Sequence, residues 1–138
     1  MELQVTTSGR EPIYQQLVGQ IREGVARGKL RPGERLPSVR ELSRRLVVNP
    51  NTIARVYTEL ERDGVLFTRP GSGVFVAEPS NDLTKAARKK KLLGLLDAFL
   101  TEAVHLGFAR DDVVTTVAER ARQFEWQLPV SSTSGAVK

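Results

Sequence analysis

The chain has 138 residues, enough for one domain or two small ones. Its 40% hydrophobic and 27% charged residues are typical of a globular protein, and no apolar run is long enough to span a membrane. The chain has no cysteine and one histidine, which excludes disulfides and thiolate metal sites and leaves little scope for histidine catalysis. A formal net charge of +5 is compatible with nucleic acid binding without establishing it.

The sequence also argues against an enzyme and against secretion. It shows no Ser/His/Asp set, no cluster of metal-ligating residues and no phosphate-binding loop. The first twelve residues carry neither a basic start nor an apolar run, so they do not predict a signal peptide. We therefore expect a cytoplasmic protein with no catalytic residues, no cofactor, no metal and no membrane contact.

A first helix is predicted from about residue 11 or 12 to Arg27. Apolar residues recur at three- and four-residue steps between Tyr14 and Val25, which makes one buried face. Gly28, just past the end, supplies the left-handed position that closes a helix. The glycines and prolines of 28–38 then predict a structured turn.

A short second helix is predicted from Ser38 to Leu46. Ser38 and Glu41 have the spacing of a capping box, in which each side chain bonds to the other residue's N–H. Only the link 47–49 separates this helix from the next. A link this short forces two helices to cross steeply, as in a helix-turn-helix.

A third helix is predicted from Pro50 to Asp63. Asn49 is a good N-cap, and Pro50 suits the first turn because its missing N–H has no intrahelical partner there. Short β-branched and aromatic stretches at 66–69 and 74–77 flank a glycine-rich turn, which predicts a hairpin. Three helices followed by a two-stranded hairpin make a winged helix-turn-helix.

Beyond a boundary near residues 78–82, two more helices are predicted at 83–106 and 110–126. The first carries a heptad-like apolar seam and the second a further apolar stripe. Two helices cannot bury so wide a face against each other, so we expect contact with the N-terminal domain and with a second copy of the chain. The residues expected at the dimer interface are Leu92, Leu96, Phe99, Leu100, Ala103, Leu106, Val113 and Val117.

A series of short motifs accompanies the elements predicted between about residues 10 and 77. They are Pro12-Ile13-Tyr14-Gln15-Gln16-Leu17, Gly28-x-Leu30-x-Pro32-Gly33, Leu36-Pro37-Ser38-x-Arg40-x-Leu42, Asn49-Pro50-Asn51-Thr52, Tyr57, Leu60-Glu61, Gly64, Thr68-Arg69, Gly71, Gly73 and Phe75-Val76. Together they resemble the GntR family of bacterial transcriptional regulators. The short helical C-terminal part resembles the YtrA subfamily, whose members are small homodimers. Val47 stands where many relatives have glycine.

The resemblance implies a homodimer that binds an inverted-repeat DNA operator. It places the third helix in the major groove and the wing at the minor groove, with Arg40 at the DNA and Gly71 close to the minor groove. It also suggests a repressor acting by occlusion, in a family that often controls transporter operons. The expected DNA-binding residues are Ser38, Arg40, Arg44, Asn49, Asn51, Thr52, Arg55, Arg69, Gly71 and Gly73.

The chemistry of these side chains suits DNA, and each also has a purely structural explanation. Arginine can neutralise a phosphate or read guanine, and asparagine can pair bidentately with adenine. Against this, Asn49 and Thr52 could serve only as caps, and Arg44 could pair with Glu41. The two wing glycines could serve only the turn.

The expected domains are a winged helix-turn-helix DNA-binding domain at 1–78, a helical dimerisation domain at 79–126 and a disordered tail at 127–138. Any small-molecule effector would have to act at the dimer interface. Two alternatives remain: a winged-helix module for protein–protein contact, and a fragment of a larger regulator with an aminotransferase-like domain. The exposed arginines argue against the first, and the two finished C-terminal helices argue against the second.

Overall fold

The structure is a computed structural model that describes residues 2–80 and 82–126. The tail predicted to be disordered, 127–138, lies outside these residues. The chain divides into two compact units, with Ser80–Phe124 as the second and Glu125 grouped with the first. The fold is mainly helical with a two-stranded antiparallel hairpin, as predicted. Its elements in chain order are α1 (Ile13–Ala26), α2 (Val39–Leu46), α3 (Pro50–Arg62), β1 (Leu66–Arg69), β2 (Gly73–Val76), α4 (Lys85–His105) and α5 (Arg110–Ala121).

One hydrophobic core holds the first unit together. It takes residues from the stripes predicted on α1 and α3, from the turn before α2 and from both strands. Burying a large aliphatic side chain is worth about 1.5–3 kcal/mol before the loss of conformational entropy, so this core fixes how the helices and the wing are placed. Its members are Leu17, Ile21, Leu30, Leu36, Leu42, Val48, Ile53, Val56, Tyr57, Leu60, Leu66 and Val76. Within the described ranges, no helix is both long and apolar enough to cross a bilayer.

The turn between α2 and α3 places a β-branched residue in a left-handed conformation. Val47 has φ 56° and ψ 51°, and the next amide, that of Val48, donates to the Ser43 carbonyl at 3.1 Å. The Ser43 hydroxyl donates in turn to the Val48 carbonyl at 2.6 Å. This is a Schellman-type helix end, at which glycine is the favoured residue. The Val47 side chain is 89% exposed, so it contributes little packing there.

Replacing Val47 with glycine is expected to raise the free energy of unfolding by about 1 kcal/mol. The left-handed conformation costs a branched residue about 1–2 kcal/mol, and glycine removes this cost. Glycine also loses more conformational entropy on folding, which lowers the free energy of unfolding by about 0.5–1 kcal/mol, so the net effect is stabilising. Chemical denaturation of wild type and Val47→Gly measures the difference. Val47→Ala is the matched control and should recover only a small part of the gain, because alanine still has a Cβ. A Val47→Gly variant less stable than wild type would contradict the claim that the backbone is strained at Val47.

The wing is larger than the predicted hairpin. In β1 and β2, Phe67 pairs with Phe75, and a third segment, 33–36, lies along β2 through a bridge between Arg35 and Phe75. The Leu36 amide donates to the Val74 carbonyl at 2.8 Å, and the Val76 amide donates to the Glu34 carbonyl at 2.9 Å. The predicted turn at 28–38 therefore ends as an extended segment that is bridged to β2.

Two glutamine side chains of α1 hold the N-terminal segment. Gln16 and Thr6 exchange two hydrogen bonds, with the Thr6 amide donating to Oε1 at 2.9 Å and Nε2 donating to the Thr6 carbonyl at 2.8 Å. Gln20 makes the same exchange with the backbone of Gln4. Because the two glutamines are four residues apart, their amides face the same side of the helix and act like the edge of a strand.

The C-terminal helices are shorter than predicted. Thr84 caps α4 by accepting the Ala87 amide at 3.1 Å, so the helix begins at Lys85 rather than at residue 83. α5 ends at Ala121, and the prediction that it reaches Trp126 is wrong. The amides of residues 122–124 donate to carbonyls three residues back, which tightens the chain out of the α-helical pattern.

Helix α4 exposes a wide apolar face. At 100° per residue, its large apolar side chains cover an arc of about 180°, wider than the stripe of an ordinary surface helix. Of the seam residues, Phe99 is 46% exposed, whereas Ala103 is buried. The exposed apolar residues on α4 and just after it are Leu92, Leu93, Leu95, Leu96, Phe99, Leu100, Val104 and Leu106.

Candidate nucleic-acid interface

The start of α2 is fixed by the predicted capping box, which the structure confirms. The Glu41 amide donates to Ser38 Oγ at 3.0 Å, and the Ser38 amide donates to Glu41 Oε1 at 2.8 Å. These bonds to Ser38 lower the pKa of Glu41, and the positive charges of Arg35 and Arg45 add to the effect. The Ser38 hydroxyl, a predicted DNA contact, therefore already has a structural role.

Acid is expected to weaken this cap. The pKa of Glu41 in the folded protein lies below its ordinary value of 4.5, so the charged form stabilises the fold above pH 4.5. That contribution is lost as the pH falls through the lower, folded-state pKa. Glu41→Gln keeps an acceptor but cannot titrate. The wild type's advantage over Glu41→Gln in free energy of unfolding should therefore shrink below pH 4.5 in urea titrations. An advantage independent of pH would contradict this.

The exposed face of α2 carries two of the predicted DNA-binding arginines. Arg40 and Arg44 are four residues apart and both exposed, so they lie on one side of the helix. The Glu41 carboxylate takes part in the capping box and not in an ion pair with Arg44. Among the ion pairs of the described residues, none includes either arginine. Both guanidinium groups are available to an anionic partner.

The start of α3 leaves polar side chains available. Asn49 is the N-cap, since its Oδ1 accepts the Asn51 amide at 2.8 Å, and Pro50 occupies the first turn. This satisfies the cap without Thr52, whose amide donates to the Asn49 carbonyl at 2.9 Å. The Asn51 side chain is exposed and that of Thr52 is half-buried. The tip of the helix thus presents hydrogen-bonding groups and the positive end of its dipole.

Arg55 lies on the exposed face of α3, one turn after Asn51, but its side chain is held against an aromatic ring of α1. Its Cζ lies 3.6 Å from the centroid of the Tyr14 ring of α1. A guanidinium that stacks on an aromatic ring still has N–H donors along its edge. The sequence did not predict this stack, which orients Arg55 rather than leaving it as a mobile surface charge.

Tyr57 ties α3 to the start of α2. Its hydroxyl donates to the Pro37 carbonyl at 2.7 Å, next to the Ser38 cap. Burial raises the pKa of Tyr57 to about 12, so the hydroxyl keeps its proton and the hydrogen bond throughout the physiological range. The bond fixes the starts of both helices relative to each other.

The wing places its predicted residues around one turn. Arg69 lies over the stacked rings of Phe67 and Phe75, with Cζ 5.8 Å and 5.4 Å from their centroids. Gly71 has φ 80°, and no atom would lie within 4 Å of an added Cβ, so the turn needs glycine for its backbone. Gly73 has φ 130°, and an added Cβ would lie 2.8 Å from Nε of Arg35.

The sequence prediction omitted Arg35. Its Nε donates to the Ser72 carbonyl at 3.1 Å, so it lies at the wing turn with Arg69 and Gly73. In the sequence, Arg35 is a charged residue in a glycine- and proline-rich stretch. That local context does not show that the residue lies beside the hairpin.

The predicted dimer residues all belong to α4, α5 and the turn between them, within the second unit. Leu92, Leu96 and Leu106 are exposed, and Val117 is 45% exposed. Val113 is half-buried. The candidate DNA-binding residues all belong to the first unit.

Comparison with known proteins places the chain among bacterial regulators. Residues 13–76 match the model of the gntR family of bacterial regulatory proteins. Over 104 residues, the chain is 38% identical to the HTH-type transcriptional regulator YhcF of Bacillus subtilis, covering 75% of this chain and 85% of that protein. Over 105 residues, it is 32% identical to the HTH-type transcriptional repressor YtrA of the same organism, covering 76% and 81% of the two chains.

Solved structures extend the similarity beyond the winged domain. A transcriptional antiterminator from Listeria monocytogenes superposes with a TM-score of 0.74 at 30% identity, covering 95% of this chain and 98% of that one. The DNA-binding domain of AraR, solved in complex with operator ORX1, superposes with a TM-score of 0.50 at 29% identity. That match covers 56% of this chain and 99% of the AraR domain.

Proposed function

The chain belongs to the gntR family of bacterial regulatory proteins and is a DNA-binding transcriptional regulator, and we propose that it is a homodimeric repressor of an inverted-repeat operator. Its relatives are transcriptional regulators, so the expectation that it is not an enzyme is confirmed. Residues 1–78 would form the DNA-binding domain and 79–126 the dimerisation domain.

The DNA-binding part of the proposal rests on the start of α3. Asn49 satisfies the cap, which leaves the side chains of Asn51 and Thr52 for base edges or phosphates. Arg40 and Arg44 supply positive charge from α2, and Arg55 supplies it from the next turn of α3. We propose that these groups meet one major groove. The same kind of domain in AraR was solved on operator DNA.

The proposal of a homodimer rests on the exposed apolar face of α4. Exposed apolar patches larger than a few hundred Å² are rare on monomers and mark interaction sites. A seam with alternating four- and three-residue spacing fits a matching helix, and two copies of one chain supply this with two-fold symmetry. Two-fold symmetry in the protein then requires an inverted repeat in the DNA.

Repression is the sign of regulation we propose. The YtrA relative is named as a repressor. A dimer that occupies a promoter blocks polymerase without needing another protein or domain. A transporter operon is the proposed target, following the family resemblance. A small-molecule effector would act by changing how far apart the two α3 helices lie in the dimer. A regulator of this kind works on DNA in the cytoplasm.

Selection of bound duplexes from random DNA, followed by sequencing, tests the whole proposal. We expect enrichment of a motif with two-fold symmetry and half-sites about one helical turn apart. Placing that motif over a promoter should then lower reporter transcription when the protein is expressed. Enrichment of an asymmetric single half-site would contradict the homodimer, and increased transcription would contradict repression. No enrichment at all would overturn sequence-specific binding.

A further inference from the structure

The first two turns of α4 carry a dense positive charge. Residues 85–91, which we call the basic segment, contain four lysines and one arginine and neither Asp nor Glu. All five charged side chains are exposed. Among the ion pairs of residues 2–80 and 82–126, none includes a residue of the basic segment. These charges also lie at the positive end of the helix dipole, where a cation is unfavourable.

The remainder of α4 has the opposite charge. Residues 92–105 contain Asp97 and Glu102 and neither lysine nor arginine. Both carboxylate side chains are exposed, and the ion pairs of the described residues include neither of them. The C-terminal end of a helix also carries the negative end of its dipole. α4 is therefore positive at its start and negative toward its end.

The basic segment lies on the same face of α4 as the apolar seam. Counting back from Leu92 in steps of three and four residues gives Lys89 and Lys85, so the seam continues through both lysines. At about 100° per residue, Arg88 also falls within the apolar arc, whereas Lys90 lies nearly opposite its middle. A second copy that covers the seam must therefore come close to these positive charges or leave them beyond its end.

A parallel pair of α4 helices would place the two basic segments side by side. The axes of packed helices are about 8–10 Å apart, close to the Debye length of about 8 Å at physiological salt. In-register pairing would also set Lys85 and Lys89 opposite their own copies in the seam. The five positive charges of each copy would then repel those of the other with little screening.

An antiparallel pair removes this repulsion. With the two-fold axis at Phe99, the middle of the seam, the centres of the two basic segments lie about 30 Å apart at about 1.5 Å per residue. That distance is several Debye lengths, so the charges are screened from each other. Each basic segment then lies toward the C-terminal end of the partner's α4, which carries Glu102 and the negative end of the dipole.

We propose that α4 packs antiparallel against α4 of a second copy, with the basic segment of each helix toward the acidic end of the other. The proposal rests on the proposed homodimer and adds its orientation. Two-fold symmetry allows a parallel and an antiparallel pair alike, and the apolar seam suits both. The separation of charge along α4 decides between them, because charge complementarity fixes how two surfaces align.

Cross-linking of single-cysteine variants measures the orientation. The chain has no cysteine of its own, so Lys89→Cys and Leu106→Cys each provide one reactive thiol. A thiol cross-linker that spans about 10 Å, the separation of packed helices, joins only residues at a similar height along the pair. We mix the two variants, one of them with a size tag, and expect covalent dimers between the variants and few within either one. A parallel pair would give the reverse.

Charge reversal tests the physical cause of the orientation. Lys89→Glu places a negative charge toward the negative end of the partner helix, so the dimer dissociation constant should rise roughly tenfold. In a parallel pair the same change would relieve repulsion and lower the constant. Lys90→Glu is the matched control, since it makes the same change of charge on the side away from the seam and should alter the constant much less. Sedimentation equilibrium measures the constants, and circular dichroism checks that each variant is folded.

The outcomes separate this inference from the proposed function. Cross-links confined to Lys89→Cys with itself and to Leu106→Cys with itself would overturn the antiparallel pair and leave the homodimer intact. A wild type that is monomeric would overturn the proposed homodimer. A dimer that forms no cross-link in any combination would show that α4 does not face α4 and would reject the inference. Lys89→Glu with an unchanged dimer but weaker DNA binding would assign the basic segment to DNA and likewise reject it.

Discussion

Replacing Arg40 with alanine is expected to weaken operator binding about tenfold to a hundredfold at each half-site. The residue is exposed on α2 and takes part in no ion pair within the described residues, so the change removes a charge that the fold does not use. A guanidinium that meets a phosphate or a guanine makes charge-assisted bonds worth about 1–3 kcal/mol. Titration of the selected duplex in gel-shift assays measures the loss.

Asn51→Ala tests the base-reading half of the same interface. The Asn51 side chain is exposed and the cap depends on Asn49, so alanine should leave the stability of α3 unchanged. A bidentate asparagine–adenine pair is worth about 1–3 kcal/mol of discrimination, so we expect affinity for the operator to fall about tenfold while non-specific affinity stays. Arg40→Ala, in contrast, should lower both the operator affinity and the non-specific affinity if Arg40 contacts phosphate.

Arg110→Ala on α5 is the matched control for charge. Arg110 is exposed and its guanidinium lies 3.3 Å from Asp111, far along the chain from the helix-turn-helix. It should leave operator affinity within about twofold of wild type, because its guanidinium already pairs with Asp111 and exposed charges are screened by salt. Unchanged affinity in both Arg40→Ala and Asn51→Ala, with Arg110→Ala as reference, would contradict the placement of α2 and α3 at the DNA.

Features that depend on a few neighbouring residues could be predicted from the sequence. The capping box joins Ser38 and Glu41, the N-cap joins Asn49 to Asn51, and Gly28 takes its left-handed turn next to the end of α1. Each is set by chemistry within one helical turn, so residue type and spacing suffice. The same holds for the buried stripe of α3.

Contacts between distant parts of the chain could not be predicted. The Arg35 side chain reaches Ser72 across 37 positions of sequence, and the pairing of 33–36 with β2 has no alternating pattern to reveal it. The Arg55 stack on Tyr14 and the exchange between Gln16 and Thr6 depend on how α1 lies against other segments. Such pairs follow from the packed fold and not from local propensity.

The end of α5 shows the limit of a periodic pattern. The apolar stripe predicted for α5 continues to Phe124, and no glycine or proline closely follows Ala121 to mark an end, so the pattern predicts a helix that reaches Trp126. The structure ends it at Ala121 and turns the next three amides onto carbonyls three residues back. Periodicity indicates which side of a segment is apolar but does not locate its last residue.

Phe99→Asp is expected to break the dimer and, through it, operator binding. Phe99 lies in the centre of the apolar seam of α4 and is 46% exposed in the single chain. In a two-fold dimer the substitution buries two carboxylates without partners, and unpaired buried charge costs several kcal/mol. We expect the dimer dissociation constant to rise at least a hundredfold, about 2.7 kcal/mol. Leu96→Asp, one turn away, should act in the same way.

Loss of the dimer should reduce operator affinity strongly even though the residues at the DNA are unchanged. Two linked domains bind two half-sites with a gain of about 10²–10⁴ over one domain, and a monomer loses this gain. Binding of Phe99→Asp to a single half-site should stay near that of the wild-type domain, because the first unit has its own core. Light scattering gives the oligomeric state and gel shifts give the affinities.

Ala98→Asp is the matched control on the same helix. Position 98 lies opposite the middle of the apolar arc of α4 and is also exposed, so the variant adds the same charge and leaves the apolar face intact. This variant should remain a dimer. A Phe99→Asp protein that is still dimeric, or a wild type that is monomeric at the concentrations that bind DNA, would contradict the α4 interface. Dissociation of Ala98→Asp as readily as Phe99→Asp would place the interface elsewhere on the helix.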